Sequence, residues 1–335
     1  MARDASSPAA GWALVTGGAG FVAGAVLPAL RARGLAVVVL DDLSTGHADA
    51  VPPPYELVVG QVGDEALVRR LLARPGLRAV FHFAGRTQVA ESVRSPLAYY
   101  GANVEQGIAL LRSIVDLNGP PPFILSSSAG VYGRPETSPV PESSSRCTTH
   151  PYGDTKRILE DILAWCEGAY GLRWCALRYF NAAGAAAGVV ERHDPESHLI
   201  PNILAAARGG PPVTLYGTDY ETPDGTAVRD YVHVLDLADG HLAALDHLAG
   251  GGESMAVNLG SGRGASVREV LDAAQRVTGR AIAHAWGPRR AGDPPALVAD
   301  ITRARRVLGF APTRSEIERV VADAWRHGAE FPSHG

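Results

Sequence analysis

Thr16-Gly17-Gly18-Ala19-Gly20-Phe21-Val22-Ala23-Gly24 directly follows the apolar run Trp12-Ala13-Leu14-Val15, and this junction decides the fold. WALVT (12–16) has the short, β-branched character of a buried strand, and an amphipathic run begins after it. The glycines therefore occupy a strand-to-helix turn. Gly17, Gly20 and Ala23 give a Gly-x-x-Gly-x-x-Ala spacing. Glycines at such a turn let the backbone approach a pyrophosphate, while the unpaired amides of the helix start present partial positive charge. Taken alone, the spacing fits a bland Gly-rich turn about as well. The end of the second strand tips the balance. Asp41 stands there, 24 residues beyond Gly17, where a carboxylate can accept both hydroxyls of an adenosine ribose. A carboxylate at that place repels a 2'-phosphate and no arginine directly follows, so NAD is expected rather than NADP. The neighbouring Asp42 reads as a solvated loop acid.

Outward from this turn, short apolar runs alternate with longer amphipathic ones. Strands are expected at 12–16, 35–40, 55–59, 79–83, 123–127 and 174–178, with helices near 20–33, 64–73, 94–117 and 152–169. That order predicts an α/β fold with a doubly wound, mostly parallel (Rossmann) sheet. After about residue 182 the rhythm changes to loops rich in Gly, Pro and Asp, GVVERHDPESH (188–198) and YGTDYETPDGT (216–226), between shorter helices. A smaller α+β substrate-binding domain is expected there. The boundaries are placed at 11–182 and 183–330, with some segments returning to the first domain and a cleft between the two. Pro28 falls inside the first expected helix, where a proline costs about 3 kcal/mol unless it sits at a kink.

Composition agrees. The chain has 335 residues, 46% apolar and 20% charged, with 38 Gly and 24 Pro, which excludes a disordered or collagen-like chain. The 31 Lys and Arg against 35 Asp and Glu supply no broad basic field, so no nucleic-acid partner is expected. Cys147, Cys166 and Cys175 show no Cys-x-x-Cys spacing, which points to neither a disulfide framework nor a metal centre and fits a reducing compartment. No apolar stretch approaches the 18 or so residues of a membrane span, and the first ten residues have no apolar signal core. A cytoplasmic location without membrane association is expected.

Pro151-Tyr152-Gly153-Asp154-Thr155-Lys156 opens a long expected helix, with its Tyr and Lys on one face at i and i+4. A neutral tyrosine, with pKa near 10, is a poor base at pH 7; lowering it by about three units takes roughly 4 kcal/mol of preferential phenolate stabilisation. Lys156 and the positive ring of an oxidised nicotinamide can supply that field. Upstream, the fifth strand ends in Ser126-Ser127-Ser128, so Ser128 should emerge at the carboxyl edge of the sheet, where ligands of open α/β folds bind. A surface Tyr-Lys pair and a Ser-rich turn are each common, and it is their order after a dinucleotide fingerprint that favours a hydrogen-transfer site.

With these motifs in place the chain resembles the extended short-chain dehydrogenase/reductase superfamily, and in detail it is similar to the UDP-glucose (UDP-galactose) 4-epimerase family. The likeness runs from about Trp12 to about Trp325, through TGGAGFVAG, LDDLSTGH, FHFAG, AESVRSPLAYYGANV, SSSAGVYG, PYGDTK, LRYFNAAGA, SHLIPNIL, YGTDYETPDGTAVRDYVHVLDLADGH, NLGSG and RRAGDPPALVAD. The resemblance implies that Gly17, Gly20, Phe21 and Val22 lie against the pyrophosphate of NAD and that Asp41 holds its adenosine ribose. It implies that Phe83, Ala84 and Gly85 pass beneath the cofactor and that Asn103 steadies that loop. It also counts Gln61, Val62, Ser126 and Tyr179 among the cofactor-binding positions. Ser128, Tyr152 and Lys156 match the catalytic set. For a UDP-sugar, Thr87, Asn181, His198, Leu199 and Leu297 match contact positions, Tyr216 a position near the uracil, Arg229 and Arg290 a grip on the diphosphate, and Asp293 a partner of a ribose hydroxyl. Relatives are commonly homodimers joined through the two long helices, so a homodimer is expected.

Several positions depart from the family pattern. Ala23 replaces the third glycine, Gln61 stands where an Asp commonly meets the adenine, Thr87 replaces a lysine of some members, and Leu297 stands where others carry a bulky aromatic or a small residue. The reaction implied is removal of the sugar's 4-hydroxyl proton by Tyr152, with Ser128 assisting and hydride transfer from C4 to NAD. A 4-keto sugar then swings about its anchored diphosphate and is reduced on the other face. The same oxidation opens the dehydratase and decarboxylase reactions of the superfamily, but these need an additional acid or base, and Ala129 and Gly130 follow Ser128 here. Epimerases of UDP-N-acetylhexosamines, UDP-pentoses or UDP-uronic acids remain alternatives for the sugar. A plain alcohol dehydrogenase releasing reduced cofactor, and a non-catalytic NAD-sensing protein, are the readings of other kinds.

Overall fold

The structure, a computed structural model, describes residues 11–193, 196–290 and 293–328. Strands β1 (Trp12–Thr16), β2 (Ala36–Asp41), β3 (Glu56–Val59), β4 (Leu77–His82), β5 (Phe123–Ser128) and β6 (Trp174–Tyr179) form one parallel sheet. Beyond them come β7 (Asn181–Ala183), β8 (Val213–Tyr216), β9 (Val228–His233) and β10 (Met255–Leu259), and β10 returns to pair with β6. The order β10-β6-β5-β4-β1-β2-β3 reverses direction between β1 and β4, so a crevice opens at their carboxyl ends, beside Thr16 and His82. Every residue of β1 is buried, as expected for a strand covered on both faces.

The helices are α1 (Phe21–Ala32), α2 (Glu65–Leu72), α3 (Val89–Arg94), α4 (Pro96–Tyr99), α5 (Gln106–Val115), α6 (Pro151–Tyr170), α7 (Leu199–Ala207), α8 (Val234–Ala249), α9 (Val267–Thr278), α10 (Thr302–Leu308) and α11 (Ile317–His327). Apolar residues of α1, α8 and α10 pack on one face of the sheet and those of α2, α5 and α6 on the other. A second core gathers α7, α9 and α11 around β8 and β9. There β9 lies between β11 (Gly264–Ser266) and β13 (Ala296–Leu297) and also pairs with β7, while β12 (His284–Gly287) pairs with β8. Among the described residues no helix is long and apolar enough to cross a membrane.

One expectation needs correcting. The single helix placed at 94–117 is broken. Ser95, at φ −134° and ψ 60°, leaves the helical region just before Pro96, as the residue preceding a proline tends to do. The chain then widens into a π-helical turn over Tyr100–Glu105 before α5. Such turns recur at functional positions, and this one carries Asn103. By contrast Pro28 stays inside α1 on its exposed side, where the amide it lacks would have bonded the Gly24 carbonyl.

Candidate active site

The cofactor-facing half is built from the β1 turn. Gly17 has φ +70°, and a Cβ there would lie 2.4 Å from the Ala84 nitrogen, so glycine is required both by conformation and by the approach of the β4 end. Its amide donates to the Leu40 carbonyl (2.9 Å), while Phe83 and Ala84 donate to the Thr16 carbonyl. α1 then starts at Gly20 with no capping side chain and no acid in its first turn. Asp41 is buried at the end of β2 and accepts from the amides of Ala19 (2.9 Å, Oδ2) and Leu43 (2.8 Å, Oδ1). Burial pushes its carboxyl up while those amides pull it back. Asp42 is exposed and caps the Ser44 amide.

Asn103 ties the loop after β4 to α6. Its Oδ1 accepts from the Arg86 amide (2.7 Å), and its Nδ2 donates to the Arg86 carbonyl (3.0 Å) and to Thr155 Oγ1 (3.0 Å). Phe83 stacks on His241 of α8, with centroids 4.8 Å apart. His241 Nδ1 faces the Leu237 carbonyl (2.8 Å), an acceptor, so Nε2 accepts from the Tyr179 hydroxyl (2.5 Å). Phe21 and Val22 are half-buried against the same core, Val62 is buried on the opposite face, and Gln61 is exposed beyond β3. Ser126 is half-buried near Tyr179, while Thr87 is exposed in the loop that follows Gly85.

Ser128 and Tyr152 meet because two backbones touch. A Cβ on Gly153, in the first turn of α6, would lie 2.4 Å from the Gly130 carbonyl, so only glycine lets the helix start press on the end of β5. His150 caps that start by accepting from the Gly153 amide at Nδ1 (3.0 Å), and Pro151 takes the first helical position. The His150 and Tyr152 rings stack, 6.0 Å apart and 5° from parallel. Ser128 Oγ accepts from the Gly130 amide (3.1 Å) and lies close enough to the half-buried Tyr152 phenol to favour its ionised form. Lys156 follows one turn on and is 1% exposed. Burial draws its ammonium down to about 8, against the opposing Glu160 carboxylate. Glu160 is itself clamped by Arg178 (2.6 Å) and Ser127 (2.6 Å).

The expected fall of the Tyr152 pKa is not found in the protein alone. Burial pushes the phenol up, and the neighbouring Ser128 hydroxyl offsets only part of that. The reason is physical: in a dry pocket a phenolate needs a nearby net positive charge, and Lys156 is itself destabilised as a cation there.

The remaining positions lie at the rim of the second core. Arg229 on β9 donates to the Val228 carbonyl (2.8 Å) and lies 3.4 Å from Asp293, not against the adjacent Asp230. Asp230 is buried and holds the amides of Ser261, Gly262 and Ala299. Arg229 Nη2 is enclosed with no hydrogen-bond partner. Arg290 lies over the Tyr216 ring, 4.4 Å from its centroid, and is not paired with Asp293 as the bland reading had it. Leu297 is in register with Arg229 across β13 and β9 and packs with Ala129, Val131, Tyr132 and Phe180. Asn181 is half-buried on β7, Leu199 opens α7, and His198 is exposed beside Glu196 (2.8 Å). His150, Thr155, Gly130 and His241 were not among the expected positions; a Gly in each of two distant motifs, SSSAG and PYG, is the one sequence signal that bears on them.

The profile of the NAD dependent epimerase/dehydratase family matches residues 13–260. The chain belongs to that family. It is 44% identical over 322 residues to the UDP-glucose 4-epimerase of Lactobacillus helveticus, covering 95% of this chain and 97% of that one. The UDP-glucose 4-epimerase of Brucella ovis, solved in complex with NAD, superposes with TM-score 0.91 at 44% identity, over 95% of this chain and 98% of that one. The enzyme of Bifidobacterium longum, solved with NAD+ and UDP, superposes with TM-score 0.89 at 37% identity, over 96% and 98%. The family's dinucleotide fits the residues present. A Cβ at Gly20 would find only the Gly17 carbonyl near it, at 3.3 Å, so the cradle is open on its ligand side. The free first-turn amides of α1 suit a pyrophosphate there.

Proposed function

We propose that this chain is an NAD-dependent epimerase that inverts C4 of a UDP-hexose of the UDP-glucose/UDP-galactose type through a transient 4-keto sugar. The observation that carries the reading is the convergence of the Ser128 hydroxyl and the Tyr152 phenol at the carboxyl edge of the sheet, one helical turn from a buried Lys156. Bound NAD supplies the acceptor and later the donor of the C4 hydride. Tyr152 takes the 4-hydroxyl proton and returns it to the reduced sugar, so the protein ends each turnover in the state it began. Ser128 shares that proton, and Lys156 with its positive charge favours the phenolate. Asp41 and the Gly17–Gly20 turn hold the dinucleotide.

The Nη2 of Arg229, enclosed without a hydrogen bond, and the Arg290–Tyr216 pair support a diphosphate beside an aromatic face, since guanidinium forks match phosphate oxygens. Holding the nucleotide and not the sugar leaves the keto-sugar free to turn over. The relatives whose names specify UDP-glucose point to the same nucleotide. In this reading residues 11–182, with the returning segments, hold NAD, and 183–330 hold the UDP-sugar. Exposed Val93, Leu97 (84%) and Trp165 (81%) on α3, α4 and α6 support a homodimer through these helices. Three free cysteines support a reducing, cytoplasmic setting.

The test is direct. Purified protein incubated with UDP-galactose should yield UDP-glucose by chromatography, and denaturation should release NAD. Absence of UDP-glucose with NAD present would sink the reading. Light scattering should give twice the chain mass, and Trp165→Glu should halve it.

A further inference from the structure

Four side chains outside the catalytic set converge in the segment that enters α7. They are Glu191, His193, Glu196 and His198, and their ligand atoms all lie within 4.8 Å of one another. His193 Nδ1 is 3.4 Å from Glu191 and 3.9 Å from Glu196, while His198 Nδ1 is 3.0 Å from Glu191 and 2.8 Å from Glu196. Around a tetrahedral zinc with bonds of about 2.0–2.2 Å, neighbouring ligand atoms stand roughly 3.3–3.6 Å apart. The observed separations bracket that edge, so small side-chain rotations complete the polyhedron.

The charges point the same way. Both imidazoles turn Nδ1 toward the same two carboxylates, and His193 Nδ1 is enclosed with no hydrogen-bond partner. Two carboxylates drawn this close need positive charge between them. A divalent ion with two neutral imidazoles and two carboxylates is electrically balanced. Imidazole nitrogen argues against magnesium and calcium, which take oxygen ligands, and suits zinc. Four protein ligands leave no open position, the mark of a structural and not a catalytic ion.

We propose that Glu191, His193, Glu196 and His198 bind one zinc ion that staples the segment leading into α7. The same segment is anchored at Arg192, whose guanidinium is bidentate to Asp49 (2.8 and 2.9 Å) beyond β2. The ion therefore fixes the chain just before Leu199, joining the surroundings of the adenosine ribose to those of the sugar nucleotide. The sequence reading expected no metal because it looked for paired cysteines; here the ligands follow a Glu-x-His-x-x-Glu-x-His spacing. Zinc binds only the deprotonated imidazole nitrogens, so it should bind more weakly in acid.

The test uses the full chain with its NAD and no UDP-sugar, so it stands apart from the epimerase reading. After treatment with a chelator, added zinc chloride should bind at one ion per chain with Kd below about 1 μM. Cobalt(II) in its place should give the intense visible bands of a four-coordinate site, bleached by zinc. His193→Ala, at a position given no part in catalysis or nucleotide binding, should weaken zinc at least about 100-fold. Failure to bind zinc at about 10 μM, a weak six-coordinate cobalt spectrum, or His193→Ala binding as tightly as the parent would each overturn the proposal. The cobalt spectrum of the unaltered chain decides the matter should that variant not fold.

Discussion

The two halves of the site are finished to different degrees. On the cofactor side Asp41 rests on two amides, Asn103 on the Arg86 backbone and Thr155, and Tyr179 on His241. On the nucleotide side Arg229 keeps an enclosed Nη2 with no hydrogen bond, only a 3.4 Å ion pair to Asp293, and Arg290 and Tyr216 lie on one another at the rim. The difference suits the proposed assignment of NAD to the first half and the UDP-sugar to the second. A ligand kept through every turnover can be met by a rigid, buried wall, whereas one that enters and leaves needs groups whose hydrogen bonds it completes itself.

The largest effect should come from the seam between the halves. Tyr152→Phe removes the proton carrier and should lower kcat about a thousandfold, while released NAD per chain stays unchanged. Loss of NAD along with turnover would show that the cofactor wall is not finished without the phenol, and the contrast would collapse. Next comes acid. His241 is fully buried and held down to about 4 by desolvation, against an ordinary value of 6.5. Its folded form therefore binds fewer protons than the unfolded chain between those values. Its contribution is complete above pH 6.5, is lost as pH falls toward 4, and amounts to about 3 kcal/mol. Denaturant unfolding from pH 7 to 4 should show this loss on top of that from the equally buried His82, held down to about 3, and His241→Gln should remove its own share and leave a shallower slope.

The nucleotide half should respond in binding and not in stability. Arg229→Met should cost roughly 2 kcal/mol in nucleotide-sugar binding, about thirtyfold in KM, with kcat, NAD content and melting temperature near the parent. A fall in kcat at constant KM would mean that Arg229 acts on the reacting sugar and not on the anchor.

How much of this was legible in sequence depends on range. β1 and its turn, Asp41 at the end of β2, and Tyr152 with Lys156 on α6 are local patterns of period and spacing, and each stands where the residues alone put it. The break of the long helix before α5 was legible too, since Pro96 forbids its predecessor a helical conformation, but the apolar period on either side outweighed it. What was not legible was set by contacts between distant segments. Gly130 and Gly153 matter because two backbones meet, and His241 because α8 crosses behind Phe83. The rise of the Tyr152 pKa in the protein alone was not legible either, because it comes from burial, which spacing does not report.

The smallest effect expected sharpens the contrast at the one wall the halves share. Leu297 lies across from Arg229 in register, yet its side chain packs against the apolar cluster that contains Ala129, which directly follows Ser128, and Phe180, just beyond β6. It therefore belongs to the nucleotide half by backbone and to the catalytic half by contact. Leu297→Ala removes three carbons from that wall without touching a charge, so neither NAD content nor the KM for UDP-galactose should move much. The freed volume should instead favour a bulkier 2-substituent on the sugar. The ratio of kcat/KM for UDP-N-acetylglucosamine over UDP-glucose should rise roughly tenfold, about 1.4 kcal/mol, the scale of a few methylenes in a hydrophobic pocket. An unchanged ratio would place the sugar away from Leu297 and leave its selection to the loosely held rim; a loss of NAD would instead assign this strand to the finished wall.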